Sequence, residues 1–474
     1  MVNAEQSQSF ATATTSATAA SHAATGTAHP APQRPALVNL SRLPKHGMLT
    51  GSALFFISTT VVNGGNYLFN LLLGRWLGPT LFADVSIIIT LFLLFTFVTA
   101  GFQQTAAKFA AVYSANGDED KLYALRRWLN RRSWIIGLIG CAILGGGATF
   151  WQRFFHTTSP WIFVIFAIGL PFYFVQGIDR GLLQGQMRFG RLAASYQAEM
   201  WVRLFLGLLL VAIGWAAEGA IWGLTISILA TWLVADYALR TGRHSSKPGE
   251  ETSVRHTSSR SNHATATLRP QETRAILHFA VPVLLAEISL ILINNSDVLI
   301  VKRFFDGVTA GHYAALALIG RIVFFGTWSV VITMFPLVAQ KAQRRESHRH
   351  LLWIGLGMVS AVSLAIVGTT AVVPELIVNV LFGSEYLRIA PLLWLYATAT
   401  ALFALANVLI NYHLALGNRT GTVIALIAGL SQVLTLIFFH ATLYQVVTLQ
   451  IGLMSGLLLL LLLWDQFFAP RGEQ

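Results

Sequence analysis

From about residue 48 to the C-terminus, long apolar stretches alternate with short polar connections. The stretches run over 50–74, 80–110, 133–151, 160–180, 191–213, 217–239, 275–301, 310–338, 351–373, 388–416, 421–440 and 443–466. Each is near or above the ~20 residues that a helix needs to cross the hydrocarbon core of a bilayer. None has the residue-by-residue alternation of a membrane barrel strand. Lipid offers no water to satisfy backbone groups, so helices are the remaining choice. The pattern predicts an all-α polytopic membrane protein with about twelve transmembrane helices. The two longest stretches, 80–110 and 310–338, are expected to tilt or to extend beyond the bilayer.

One connection differs from the rest. Residues 241–273 carry Ser, Thr, His and Arg around Pro248-Gly249 without periodicity, and read as a flexible linker. The expected organisation is a disordered tail over 1–47, a six-helix lobe over 48–240, the linker over 241–273 and a second six-helix lobe over 274–468. A shift of 228 residues lays Arg75-Trp76-Leu77 on Arg303-Phe304-Phe305, Asn66 on Asn294, Ala83 on Gly311 and Val85 on Tyr313. With an even number of spans, such repeats are parallel and related by an axis along the membrane normal. Two pseudo-symmetric lobes around a midplane cavity form a transporter plan.

Charge orients this bundle. With the first stretch taken as running outward, the inner segments hold 25 of the 32 Lys and Arg residues. They include Lys108, Lys121, Arg126, Arg127, Arg131 and Arg132 at and beyond the inner end of the second stretch, and Arg180, Arg188 and Arg191 at and beyond that of the fourth. The outer loops hold five: Arg75, Arg153, Lys302, Arg303 and Arg388. This bias places both termini in the cytoplasm and suits a bacterial inner membrane. Two cations, Arg203 and Arg321, fall in the middle of apolar stretches.

Composition agrees. Apolar residues make up 55% and charged residues 11%, against about 25% charged in soluble domains. The net charge of +12 is explained by inner arginines facing an anionic leaflet, so nucleic acid is not an expected partner. Cys141 is the only cysteine, which rules out an intrachain disulfide. The tail has no apolar run resembling a signal peptide. The thirteen histidines show no metal-ligand spacing, and neither a cofactor nor a metal is expected.

Specific residues then look familiar. The first two stretches carry Phe69-Asn70-Leu71-Leu72-Leu73-Gly74-Arg75-Trp76-Leu77-Gly78-Pro79 and later Gly101-Phe102-Gln103-Gln104. The fourth to sixth carry Leu183-Gln184-Gly185-Gln186-Met187-Arg188-Phe189, Glu199, Arg203 and Glu218-Gly219-Ala220. The eighth carries Tyr313-Ala314-Ala315, Arg321 and Phe335-Pro336. Over about residues 48–468 the chain resembles the oligosaccharide (O-antigen or capsule type) flippases of polysaccharide biosynthesis. These belong to the multidrug/oligosaccharidyl-lipid/polysaccharide flippase superfamily. The chain departs from that pattern at Ala83, where glycine is more usual, and in its long linker. The resemblance implies a polyprenyl-pyrophosphate oligosaccharide as substrate, the bilayer as surroundings and glycan-assembly enzymes as further partners.

Arginine at a helix centre costs ~2.5–3.5 kcal/mol on insertion scales, so each of the two should face a cavity or a partner. Glu199 lies four residues before Arg203 on the same helix face, so that pair can neutralise itself. Arg321 has no acid three or four residues away, and its nearest depth-matched acid in sequence is Glu287. A guanidinium suits bidentate phosphate binding; a structural ion pair is the alternative for both. Asn63, Asn66 and Asn70 recur at helical spacing as one polar face. With Gln103, Gln104, Asn294 and Asn295 they are candidates for sugar contacts, or for hydrogen bonds between helices worth about 0.6 kcal/mol each. The expected cavity set is Arg321, Arg203, Glu287, Asn66, Asn294 and Gln104.

Three other functions compete. A cation-coupled drug or metabolite exporter needs a carboxylate for its coupling ion, and the first stretch has none. A lipid II flippase would resemble a longer bundle. A glycan polymerase, ligase or glycosyltransferase would resemble a chain with large outer catalytic loops, whereas the longest here is roughly 374–387.

Overall fold

The structure, a computed structural model, describes residues 45–241, 267–343, 346–416, 418 and 420–467. Most of the proposed tail (1–47) and linker (241–273) lies outside these residues; residues 45–47 already belong to the first helix and 270–273 to the helix that follows the linker. The described part is helical throughout: α1 Lys45–Ala115, α2 Glu119–Gly146, α3 Ala148–Phe155, α4 Trp161–Gly185, α5 Phe189–Leu210, α6 Ala216–Thr241, α7 Pro270–Phe304, α8 Gly307–Gly320, α9 Ile322–Gln343, α10 Arg349–Val372, α11 Pro374–Leu381, α12 Ala390–Ala415, α13 Thr420–Phe438 and α14 Leu443–Phe467.

At 71 residues, α1 would be ~107 Å long if straight, more than three times the ~30 Å hydrocarbon core. It is not straight. Gly78 has φ 69° and ψ 173°, a region essentially restricted to glycine, and Pro79 follows it. The neighbours show that the chain turns back there. The limb before Gly78 runs parallel to α5, through Ser58 with Gln197, Asn66 with Arg203 and Phe69 against Gly207. The limb after Gly78 runs parallel to α4, where Gly177, Gly181 and Gly185 lie against Thr99, Gln103 and Ala107. Helices α4 and α5 are joined by a short link and run antiparallel, so the two limbs of α1 are antiparallel as well. The three glycines, four apart, let two backbones approach closely, the usual device where lipid provides no hydrophobic drive for association.

A second reversal follows α5. A π-helical turn over Val211–Trp215 is broken inside at Gly214, φ 97°. Gly207 and Gly223, on either side of it, pack backbone to backbone. Nine described helical stretches are long and apolar enough to span a bilayer, or ten with α2 and α3 taken as one span bent by 63°. Two of the nine, Leu54–Ala115 and Phe189–Thr241, contain these reversals, which brings the passages to about twelve.

The repeat is visible in the element order. Helices α2, α3, α4, α5 and α6 start at 119, 148, 161, 189 and 216; α10, α11, α12, α13 and α14 start at 349, 374, 390, 420 and 443. Each pair is close to 228 residues apart. Even the short α3 has a counterpart, α11, also of eight residues.

The halves meet at the face opposite the termini. There Gly311 of α8 sits on the backbone of Pro79 and Gly307 on Thr80. Arg75 donates to the Val380 carbonyl and Tyr386 to that of Gly74. The second limb of α1 also runs along α7, with Gly101 against Leu284 and Phe109 against Phe279. By contrast, α9 packs against α10 and α12 of its own half. The bundle is thus closed at one face and along one seam.

Candidate functional site

Buried ionic clusters lie within the spans of both halves; Arg126 of α2, for one, pairs with Asp179 of α4 and Asp236 of α6. In the N-terminal half, α5 presents Glu199 and Arg203 one turn apart. Arg203 Nη2 donates to Glu199 Oε1, as the spacing requires. The other oxygen, Oε2, accepts from Arg180 Nη2 of α4 at 2.8 Å. Arg180 also donates to the Ser195 hydroxyl and carbonyl, both at 3.1 Å, and lies over the Tyr196 ring. Sequence reasoning assigned Arg180 to an inner loop. The structure instead buries it inside α4, because α4 continues to Gly185. One carboxylate is therefore shared by two guanidinium groups, and the cluster keeps one net positive charge.

Arg203 reaches the first limb of α1 as well. Its Nη1 donates to Asn66 Oδ1 at 3.1 Å, its guanidinium stands over Phe92, and its Nε has no protein acceptor. Asn70 uses its amide on the Asn66 carbonyl. Gln103 turns to Gln184 and Tyr196.

In the C-terminal half, Asp297 of α7 is the centre. It accepts from the Tyr313 and Tyr396 hydroxyls, both at 2.8 Å, and from Arg321 Nη2 at 3.5 Å. Arg321 stands at the junction between α8 and α9. Gln450 of α14 donates to Tyr313, and Gln432 of α13 donates to Ser296 and to the Ile293 carbonyl. Asn294, Thr400 and Phe403 complete the lining of a cavity of about 30 Å³ beside Asp297, room for about two waters.

This corrects the expected partner of Arg321. Glu287 lies ten residues, almost three turns, nearer the start of α7 than Asp297 and does not pair with it. Glu287 accepts instead from Gln104 Nε2 at 2.7 Å, across the seam between halves. The six expected cavity residues therefore separate into three groups: Arg203 with Asn66, Arg321 with Asn294, and Gln104 with Glu287. Asp297 could have been found from sequence. It ends the polar run Asn294-Asn295-Ser296-Asp297 inside an apolar stretch, and the rule that singles out Arg203 applies to it equally.

Another pair lies near the closed face. Lys302, expected in an outer loop, belongs to α7 and is only 2% exposed. Its Nζ is 2.6 Å from Asp84 Oδ1 of α1. Asp84 Oδ2 accepts from the backbone amide and hydroxyl of Thr158 at 2.8 and 2.7 Å.

Among the described residues, no group of His, Cys, Asp and Glu could hold a metal ion.

Residues 48–342 match the family described as polysaccharide biosynthesis protein. No curated protein matches. Among solved structures, the fold is similar to that of a multidrug resistance MATE family transporter of the MOP superfamily in an inward-facing conformation. That likeness has a TM-score of 0.69 at 14% identity and covers 84% of this chain and 93% of that one. An outward-facing conformation of a MATE family transporter gives 0.63 at 14%, over 88% and 95%. The lipid II flippase MurJ in an inward closed conformation gives 0.67 at 14%, over 87% of each chain.

Proposed function

We propose that this chain, which belongs to the polysaccharide biosynthesis protein family, flips a lipid-linked (polyprenyl-pyrophosphate) oligosaccharide from the inner to the outer leaflet. The two halves, 48–240 and 274–468, act as lobes that open alternately to each side. The termini are cytoplasmic, in keeping with the basic residues on their face, among them Arg127, Arg131, Arg132 and Arg191.

One observation carries this reading: Arg180 and Arg203 share the single carboxylate of Glu199 in the buried interior of the bundle. Uncompensated buried charge is costly. An anion that reaches the cluster lowers that cost, and a pyrophosphate offers oxygens in the geometry a guanidinium fits. The polyprenyl tail stays in lipid, while Asn66 and neighbouring amides suit sugar hydroxyls. Outward movement of negative charge is also aided by an inside-negative potential, by about 2.3 kcal/mol per charge per 100 mV.

The test is transport of a fluorescent polyprenyl-pyrophosphate oligosaccharide in proteoliposomes. Arg203→Gln, folded and inserted, is expected to lose at least about tenfold in rate, since one such charge-assisted contact is worth ~1.5–3 kcal/mol. Wild-type transport by this variant would remove the headgroup role.

One observation favours a second reading, a cation-coupled exporter. The buried Asp297 carboxylate beside a small polar cavity resembles a place for a coupling cation. Transport of a cationic dye with no response to the lipid-linked glycan would select that reading.

A further inference from the structure

The Lys302–Asp84 pair calls for a role, because an ion pair this deeply buried is a poor way to gain stability. Removing two charges from water offsets most of their attraction, and apolar residues of the same size usually serve as well. The pair also has an unusual position. Lys302 belongs to the second half and Asp84 to the first, so the bond crosses between bodies that move apart in alternating access. Asp84 is held in place from its own half by the amide and hydroxyl of Thr158. The carboxylate is thereby fixed and satisfied on one side, with its other oxygen aimed at the opposite half.

The surroundings point the same way. Close to the pair in sequence on both sides are Gly311, against the backbone of Pro79, and Gly307, against the Thr80 side chain, tight contacts between the halves at this face. Nearby, Arg303 of α7 lies over Phe154 of α3, a further contact between halves. Among the described residues, the pair is the one ion pair that bridges the halves at this face.

We propose that Lys302–Asp84 is a latch that holds the face opposite the termini closed, and that each transport cycle must break it. On opening, both groups become hydrated at the membrane surface. Thr158 keeps the carboxylate in position for reclosure. The latch rests on alternating access by the two halves but not on the identity of the substrate.

The experiment reads conformation directly, in the full chain in nanodiscs, with Cys141→Ser. Spin labels are placed at Trp161→Cys and Phe439→Cys, two exposed positions on that face in opposite halves. The parent is expected to give one dominant short distance. Lys302→Met should add a longer population. The double variant Asp84→Asn with Lys302→Met should do so too, and it leaves no buried charge to impair folding. A second measurement uses Thr80→Cys with Gly307→Cys. A Cβ at 307 would lie 4.0 Å from that of Thr80, within disulfide range. Disulfide formation should be fast with the latch intact and several-fold slower in the double latch variant. Distances and cross-linking rates equal to the parent's in both latch variants would overturn the proposal. Neither measurement uses substrate, so failure of the glycan reading would leave the outcome interpretable.

Discussion

Arg321 finds its carboxylate on α7 at Asp297, 3.5 Å away, with two tyrosine hydroxyls on the same acid. Asp297 thus serves three donors from α8, its junction with α9, and α12. Removing it would strand a guanidinium and two buried hydroxyls together. Asp297→Ala is expected to lower stability by about 3–5 kcal/mol, the usual penalty for breaking one side of a buried pair. Arg321→Ala with Asp297→Ala should cost less than the sum of the singles. Thermal unfolding in detergent, arranged as a double-mutant cycle, measures this; strict additivity would mean that the pair does not interact.

The glycine stripe of α4 gives a second prediction. A Cβ at Gly181 would lie 2.4 Å from the Gln103 carbonyl oxygen, a backbone atom that cannot step aside. Gly181→Ala should therefore push α4 away from α1 and lower the melting temperature by several degrees, for a loss of about 1–3 kcal/mol typical of overpacking. Gly190 has open space around it. Gly190→Ala should be neutral or slightly stabilising, since alanine is the better helix former by ~0.5–1 kcal/mol. Equal effects at the two sites would contradict the close approach.

Helix α8 opens with a side-chain cap. Asp306 accepts from the amides of Val308 and Thr309, and hydrogen bonds from Thr309, side chain first and then backbone, hold its carboxyl below the usual aspartate range. The cap's contribution is complete above the ordinary aspartate pKa of about 3.9 and is lost as pH falls through the depressed value. Asp306→Ala should destabilise by about 1 kcal/mol at neutral pH, and Asp306→Ser should recover most of it. Melting curves of the three proteins decide this; equal melting temperatures would remove the cap.

Orientation is tested separately. Reporter fusions at Gly117, between α1 and α2, should report the same side as fusions after Phe467. Fusions in the connection at Thr157 should report the other side. Opposite sides for Gly117 and Phe467 would invalidate the charge-based assignment.

The apolar pattern made the helices legible because a bilayer imposes their length on the sequence. It also marked Arg203 and Glu199, whose pairing depends only on a four-residue spacing within one helix. What remained hidden depends on contacts between helices. Arg180 was hidden because the basic-loop rule counts any arginine near a span end as loop, and α4 runs five residues further. Lys302 was misplaced for the same reason. Asp297 was passed over for Glu287 because depth along a helix can be counted but the face it presents to its neighbours cannot. The reversal at Gly78 falls where the sequence breaks between 74 and 80, as Arg75 and Gly78-Pro79 signal; what the pattern did not show is that a single residue in a glycine-only conformation makes it.

The offset near 228 that relates α2–α6 to α10–α14 does not extend to the buried charges. At that offset Glu199 corresponds to Ile427, Arg203 to Ser431, Asp297 to Phe69 and Arg321 to Leu93. The order of elements repeats while the buried charges do not, so the halves are not interchangeable. A tandem of two first halves would reproduce the architecture with two cationic centres and no Asp297. A tandem of two second halves would have no cationic centre at all. The asymmetry means that the two halves have become specialists, and that each has come to depend on the other.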